Sequence, residues 1–248
     1  RSAIMRGVQI RFVGDGDEFH DEGYIELEHL GVELKLRNPN DRIMHNKYVV
    51  VDAKTVLTGS MNFSENGVML NNNNLLRINS EALADIYAAD FQQMHDGRLF
   101  GRKKDLTGMP QSLDLANGRI EVHFSPQDNP IESLRAAMST AQHSVYFMIF
   151  SYTHLDLTAD MKRMHKEGIE VVGVFDESQA RGRYSVDEQL AQAGLPVYID
   201  GNLNFRGFAG GKLHHKVMLI DAGTDSDPMV VSGSFNWSNS ATKYNDEN

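Results

Sequence analysis

The sequence predicts an α/β protein made of two related βα lobes, and three observations carry that expectation. One string of residues occurs twice in the same order, the segments flanking the two copies also match, and short apolar runs alternate with stretches of helical period. The first string is His45-Asn46-Lys47, then Asp52, then Gly59-Ser60-Met61-Asn62. The second is His214-His215-Lys216, then Asp221, then Gly233-Ser234-Phe235-Asn236, with a longer gap before its Gly-Ser.

Taken in order, MRGVQIRFVGD near the start reads as a helix end closed by Gly7 and followed by a strand. It matches HKEGIEVVGVFD at 165–176. The acidic GDGDEFHDEG lacks the D-x-D-x-D-G spacing and closing Glu of a calcium loop, so it reads as a solvated loop after a strand. LEHLGVELKL then matches LAQAGLPVYI. MHNKYVVVD and LHHKVMLID are apolar enough for buried strands. Side chains alternate along a strand, so His45 and Lys47 share one face, as do His214 and Lys216, while Asn46 and His215 face away and pack. A second apolar run follows each (Thr55-Val56-Leu57; Met229-Val230-Val231), ending at Gly-Ser-x-Asn, whose small residues allow close backbone approach to a ligand. The tails after each turn match as well, NFSENGVMLNNNN against NWSNSATKYNDEN, with Phe63 and Trp237 expected in the core.

Beyond Asn74 a strand LLRI and a helix carrying Leu83, Ile86, Tyr87 and Met94 are expected, with no counterpart after Asn248. Conversely the second half opens with RIEVHFSP, a helix with Ile131, Leu134 and Met138 on one face, the strand SVYFMIFSY and a helix ending near Lys166, with no counterpart in the first half. A piece of a longer chain is the expectation. The boundaries follow: a first lobe over 1–101 lacking its N-terminal part, a polar connector over 102–118, and a second lobe over 119–248 lacking its C-terminal part.

With 248 residues and 41% hydrophobic content the chain can bury a sizeable core. No apolar run approaches the roughly 18 residues of a membrane span. A net charge of −10 argues against a broadly basic nucleic-acid binder, although a local basic cleft can sit on an acidic protein. The absence of Cys excludes disulfides and thiolate metal sites and fits any redox compartment. Ten His invite a zinc reading, yet no H-E-x-x-H or Cys pair supports it.

The doubled H-x-K-x4-D followed by G-S-x-N resembles the phospholipase D superfamily, the HKD phosphodiesterases, over nearly the whole chain apart from the connector. The resemblance implies a phospholipase D-like fold: two lobes, each a mixed sheet flanked by helices, packed about a pseudo-two-fold with one active site at the seam. It also implies phosphodiester cleavage without a metal or other cofactor, one His attacking phosphorus and the other protonating the leaving alcohol and later activating water. Both motifs lie in one chain, so a monomer is expected.

The residue types suit that chemistry. Lys47, Lys216, Asn62 and Asn236 can hold the charge of a phosphodiester by charge-assisted hydrogen bonds. Imidazoles titrate near neutrality and serve as nucleophile or acid. Ser60 and Ser234 are expected to bind the phosphate or to serve the turn. Asp52 and Asp221 lie opposite the His–Lys face and are expected to support turns.

Asn73 and Glu247 occupy equivalent positions, because the five-residue excess between His214 and Glu247 equals the longer Asp221–Gly233 gap. In the resembling family that position often holds a carboxylate bonded to its own lobe's imidazole. Glu247 is therefore expected behind His214, favouring a general acid, and Asn73 behind His45, leaving it the nucleophile. A phospholipid, met by transient contact with a membrane surface, is the expected substrate. A nucleic acid is the alternative, since GSFNWSNSATKYNDEN resembles the tail of bacterial HKD endonucleases; a catalytically silent binding module is the third reading. Arg181, Arg183, Arg206 and Lys212 lead into the second motif and read as surface charges or a phosphate-facing rim.

Overall fold

The computed structural model describes residues 1–109, 111–116, 118–202 and 211–248. In chain order the first part contains α1 (Ser2–Met5), β1 (Arg11–Gly14), α2 (Glu22–His29), β2 (Glu33–Leu36), β3 (Tyr48–Val51), β4 (Thr55–Gly59), α3 (Glu65–Met69), β5 (Leu75–Asn79) and α4 (Glu81–His95). Then come β6 (Ser112–Leu115), β7 (Gly118–Glu121), α5 (Pro130–Met138), β8 (Ser144–Ile149), α6 (Leu155–Lys166), β9 (Glu170–Phe175), α7 (Glu177–Ala180), α8 (Asp187–Gln192), β10 (Val197–Ile199), β11 (Lys216–Ile220), β12 (Met229–Ser232) and α9 (Asn239–Lys243).

Local chemistry fixes the helix starts. Ser80 opens α4 by accepting from Leu83 N, Pro130 sits in the first turn of α5, and Ser64 and Ser238 cap α3 and α9 in the same way. The apolar faces read from the sequence are the ones buried: Leu83, Ile86, Tyr87 and Met94 on α4, and Ile131, Leu134 and Met138 on α5.

The second half forms one mixed five-stranded sheet, order β10-β9-β8-β11-β12. β8, β9 and β10 run parallel, and β11 is antiparallel to both β8 and β12. In the first half the matching strands fall into two sheets, a parallel pair β1-β2 and an antiparallel β3-β4-β5. The difference from a mixed sheet in each lobe has a direct cause. β8 joins β9 to β11 in the second half, and among the described residues no strand takes that place between β1 and β3. The two motif strands therefore differ in surroundings: β11, flanked on both sides, is buried, whereas edge strand β3 leaves Val49 and Val51 37% and 41% exposed.

Among the described residues two apolar clusters form. The larger packs α5, α6 and β8, β9, β11 around Phe147, Tyr152, Phe175 and Trp237. Trp237 lies 5.4 Å from Phe147 and 5.1 Å from Tyr152, contacts worth about 0.5–1.5 kcal/mol each beyond their buried area. Phe63, its counterpart by alignment, is half exposed instead, because nothing in the first half supplies the β8–α6 layer that covers Trp237. The smaller cluster joins Val56, Leu83, Ile86 and Tyr87 to Val122 and Phe124. The segment RIEVHFSP, expected to open the second lobe, thus pairs through β7 with β6 and packs on the first-half core.

The acidic loop after β1 is more than a solvated loop. Asp15 and Asp17 clamp the fully buried Arg37 guanidinium, which also donates to the carbonyls of Asn38 and Asp41.

Candidate active site

Strand parity places the chemistry. His45 and Lys47 share one face at the start of β3, and His214 and Lys216 do so at the start of β11; each lysine Nζ donates to the carbonyl of its histidine, at 2.6 Å and 2.9 Å. Asn46 turns the other way toward Asp90 on α4. His215 faces Asn74, 3.3 Å from its amide.

The tails cross between halves, and here the sequence expectation is corrected. His45 Nδ1 donates to Glu247 Oε2 at 2.6 Å, so the carboxylate stands behind His45 and not behind His214. His214 Nδ1 donates to Asn73 Oδ1 and to the Ser60 carbonyl, each at 3.0 Å. The amide orientation of Asn73 is fixed because its Nδ2 donates to Gly67 O. The reason for the exchange is geometric. Each tail runs back beside its own Gly-Ser turn, and that turn faces the opposite motif strand: Ser60 N donates to Asn74 O, and Ser234 N to Asn248 O. Gly59 and Gly233 make this approach feasible, because an added Cβ would meet Asn74 O at 2.5 Å and Asn248 O at 2.2 Å. The glycines thus admit the tail backbone rather than a ligand.

Ser60 and Ser234 take the second of the two roles expected for them, within the turns: both are fully buried, and their hydroxyls donate to Asn73 Oδ1 (3.0 Å) and Glu247 Oε2 (2.7 Å), the residues that partner the histidines. Asn62 and Asn236 are half-buried after the turns, and among the described residues neither amide is committed to a hydrogen bond within the protein; Asn236 Oδ1 is buried without a partner.

The aspartates separate. Asp221 is fully buried and its carboxylate accepts from the backbone N–H of Gln142, His143 and Ser144 at 2.8–2.9 Å, fixing the entry to β8. Those donors hold its pKa down against burial, which alone would raise it. Asp52 closes the corresponding β3 turn but is exposed, because that turn meets no β8-like strand.

Burial dominates the electrostatics. It lowers the His45 pKa, with Glu247 opposing, and Glu247 stays below its usual value because His45 and Lys47 outweigh its own burial. Burial, then Lys216, Lys47 and His45, push His214 down to about 2. Lys47 is lowered to about 8 by burial, and Lys216 well below its usual value by burial and Lys47. Cationic charge is crowded here, which is the state an anion relieves.

Sequence reasoning missed several supports. Asp15 and Asp176 accept from the N–H just before each motif histidine, Met44 N at 2.7 Å and Leu213 N at 3.0 Å. The aligned halves carry that signal, since both acids stand eight residues after the matched Gly7 and Gly168. Asn74 and Asn248 also cross over, Asn74 Oδ1 accepting from Ser232 Oγ and Asn248 Nδ2 donating to Thr58 Oγ1. Phe150, ending the β8 run, packs its ring 4.8 Å from His214 and 4.7 Å from Lys216 Nζ. Of the arginines considered for a rim, Arg181 pairs with Glu177 and Arg183 stacks on Tyr184, while Lys212 lies over Phe150; Arg206 lies outside the described residues.

Known proteins bear on this arrangement. The family model described as cardiolipin synthase, PLD-like domain, matches residues 1–95 and 134–248. The chain is 26% identical over 134 residues to a phospholipase D of Rickettsia bellii, covering 54% of this chain and 61% of that protein. It is 27% identical over 111 residues to a mitochondrial cardiolipin hydrolase of Chlamydomonas reinhardtii, covering 45% and 44%. The chain therefore spans about half to three fifths of the curated relatives it matches. Among solved structures it superposes on polyphosphate kinase from Porphyromonas gingivalis with a TM-score of 0.67 at 11% identity, over 99% of this chain and 36% of that one, a likeness of fold alone.

Proposed function

This chain belongs to the family of cardiolipin synthase, PLD-like domains, and from that premise we propose that it hydrolyses a phosphodiester through a phosphohistidine on His45, with no metal required. One observation carries the reading: two His–Lys pairs, with Lys47, His214 and Lys216 buried and His45 half-buried, are drawn from strands far apart in sequence and are each backed by a partner from the opposite half.

The diester anion binds among Lys47, Lys216 and the free amides of Asn62 and Asn236. His45 donates through Nδ1 to Glu247, which leaves the Nε2 lone pair free to attack phosphorus. As the P–N bond forms the ring becomes cationic, and the carboxylate behind it offsets that charge. The nucleophile is thus the ring with the carboxylate partner, and not the one with the amide partner. His214 keeps Nδ1–H on two neutral acceptors and gives a proton from Nε2 to the departing alkoxide as the P–O bond breaks. Burial, then Lys216 and Lys47, hold its pKa low, so an anion that neutralises the two lysines favours its uptake of that proton from solvent. In the second half-reaction His214 accepts a proton from water, water attacks phosphorus, and the P–N bond breaks to release the monoester.

A phospholipid is the proposed substrate class, supported by the names phospholipase D and cardiolipin hydrolase of the relatives. The test is a parallel assay with EDTA on phosphatidylcholine vesicles, cardiolipin vesicles and plasmid DNA, using wild type and His45→Ala. Head-group release abolished by His45→Ala supports the reading. DNA cleavage alone would move the substrate to nucleic acid, turnover of none to a silent module, and EDTA-sensitive turnover would overturn the metal-free mechanism.

A further inference from the structure

A buried ion cluster outside the proposed chemistry ties the connector to the active site. Lys104, Asp90 and Asp246 are 5%, 1% and 0% exposed. Lys104 Nζ lies 2.6 Å from Asp90 Oδ1 and 2.9 Å from Asp246 Oδ1, and Gly101 N donates to both oxygens of Asp246 at 2.9 Å. The three charges come from α4, the connector and the C-terminal tail.

Each aspartate also holds the strand that carries His45, Asp90 through its carboxylate and Asp246 through its backbone. Asp90 Oδ2 accepts from Tyr48 Oη at 2.8 Å and, longer, from Asn46 Nδ2 at 3.4 Å, the residues flanking Lys47 on the back of the motif strand. Asp246 precedes Glu247, and its backbone bridges the same strand: His45 N donates to Asp246 O at 2.9 Å and Asp246 N to Ile43 O at 3.1 Å. We propose that Lys104 is a positioning residue, joining Asp90 behind the His45 strand to Asp246 beside Glu247 and so setting the length and direction of the His45–Glu247 hydrogen bond.

The second imidazole supplies an internal comparison. Asn72, the counterpart of Asp246, makes the same backbone bridge, with His214 N donating to Asn72 O and Asn72 N to Lys212 O. Among the described residues its side chain accepts from an amide, Asn202 Nδ2, and the counterparts of Asn46 and Tyr48 are His215 and Val217. Among the described residues no ion cluster stands behind His214. Buried ion pairs contribute little net stability against apolar replacements of equal volume, whereas loss of one partner leaves a charge uncompensated, so a specificity of geometry is the gain such a cluster offers. It stands behind the imidazole with the nearer partner, Glu247 at 2.6 Å against Asn73 at 3.0 Å for His214.

The inference rests on the reading of His45 as nucleophile for its catalytic consequence alone; the hydrogen-bond geometry is tested without turnover. In wild type the Nδ1 proton of His45 is expected as a low-field NMR resonance, assigned by its loss in His45→Gln. In Lys104→Met it is expected to move upfield or exchange away, while kcat on bis(4-nitrophenyl) phosphate falls about tenfold and KM stays within about twofold. An unmoved resonance in a folded Lys104→Met protein overturns the proposal, as does an unchanged kcat in an active background. If wild type turns over no diester, the mechanism above fails and the resonance alone decides the positioning role. Should Lys104→Met not fold, Asp90→Asn, which keeps the shape and the Lys104–Asp246 pair, is read by the same two measurements.

Discussion

Glu247 accepts a hydrogen bond from His45 Nδ1 at 2.6 Å although the two stand 202 positions apart, while Asn73, aligned with Glu247, serves His214. The two imidazoles are thereby unequal in a defined way: one is backed by an anion, the other by a neutral amide and a carbonyl.

Glu247→Gln removes the charge and keeps the shape. The imidazolium that forms on attack then lacks its counter-charge, and kcat is expected to fall about a hundredfold with little change in KM. Steady-state kinetics on a soluble diester check this; an unaltered kcat would detach Glu247 from the chemistry.

Asn73→Asp places an anion at 3.0 Å from His214 Nδ1. A nearby opposite charge favours the cationic ring, so the His214 pKa is expected to rise from about 2 by more than about one unit. Titration of its ring protons by NMR measures the shift, and a static or falling value would show that Asn73 does not govern this ring.

The same lowered pKa sets a stability trend. His214 is about 2 in the fold and 6.5 as a reference, so between those values the unfolded chain binds the extra proton. Its contribution is therefore present in full above pH 6.5 and is lost as pH falls below it, by up to about 1.4 kcal/mol per pH unit. Urea unfolding at pH 7 and pH 5 is expected to show a smaller loss in His214→Gln than in wild type. Equal losses would place the missing protonation elsewhere.

Asp221 and Asp52, one position of the repeat, are expected to part company. Asp221→Asn weakens three charge-assisted bonds from backbone N–H groups and is expected to cost about 2 kcal/mol. Asp52→Asn, at an exposed turn, is expected to stay within about 0.5 kcal/mol. Chemical denaturation distinguishes the two.

Much of this was legible in the sequence for a physical reason: strand parity and helical period are local. They placed His45 with Lys47 and His214 with Lys216, and put Leu83, Ile131 and their neighbours in the core. The crossing of the tails was not legible, because aligning Asn73 with Glu247 establishes that they are equivalent but not which imidazole each one faces. Arg37 and Lys104 were hidden for a related reason. A lone charge in a polar stretch reads as solvated until the fold brings its carboxylates around it, Asp15 and Asp17 for one, Asp90 and Asp246 for the other. Edge strand β3 differs from β11 because neighbours, not composition, decide burial.

The unequal histidines are tested most directly by trapping the covalent intermediate. Mixing enzyme with diester, quenching in alkali to preserve a phosphoramidate, and locating the phosphoryl group by mass spectrometry should find it on His45 and lose it in His45→Ala. A phosphoryl group on His214 would contradict the account.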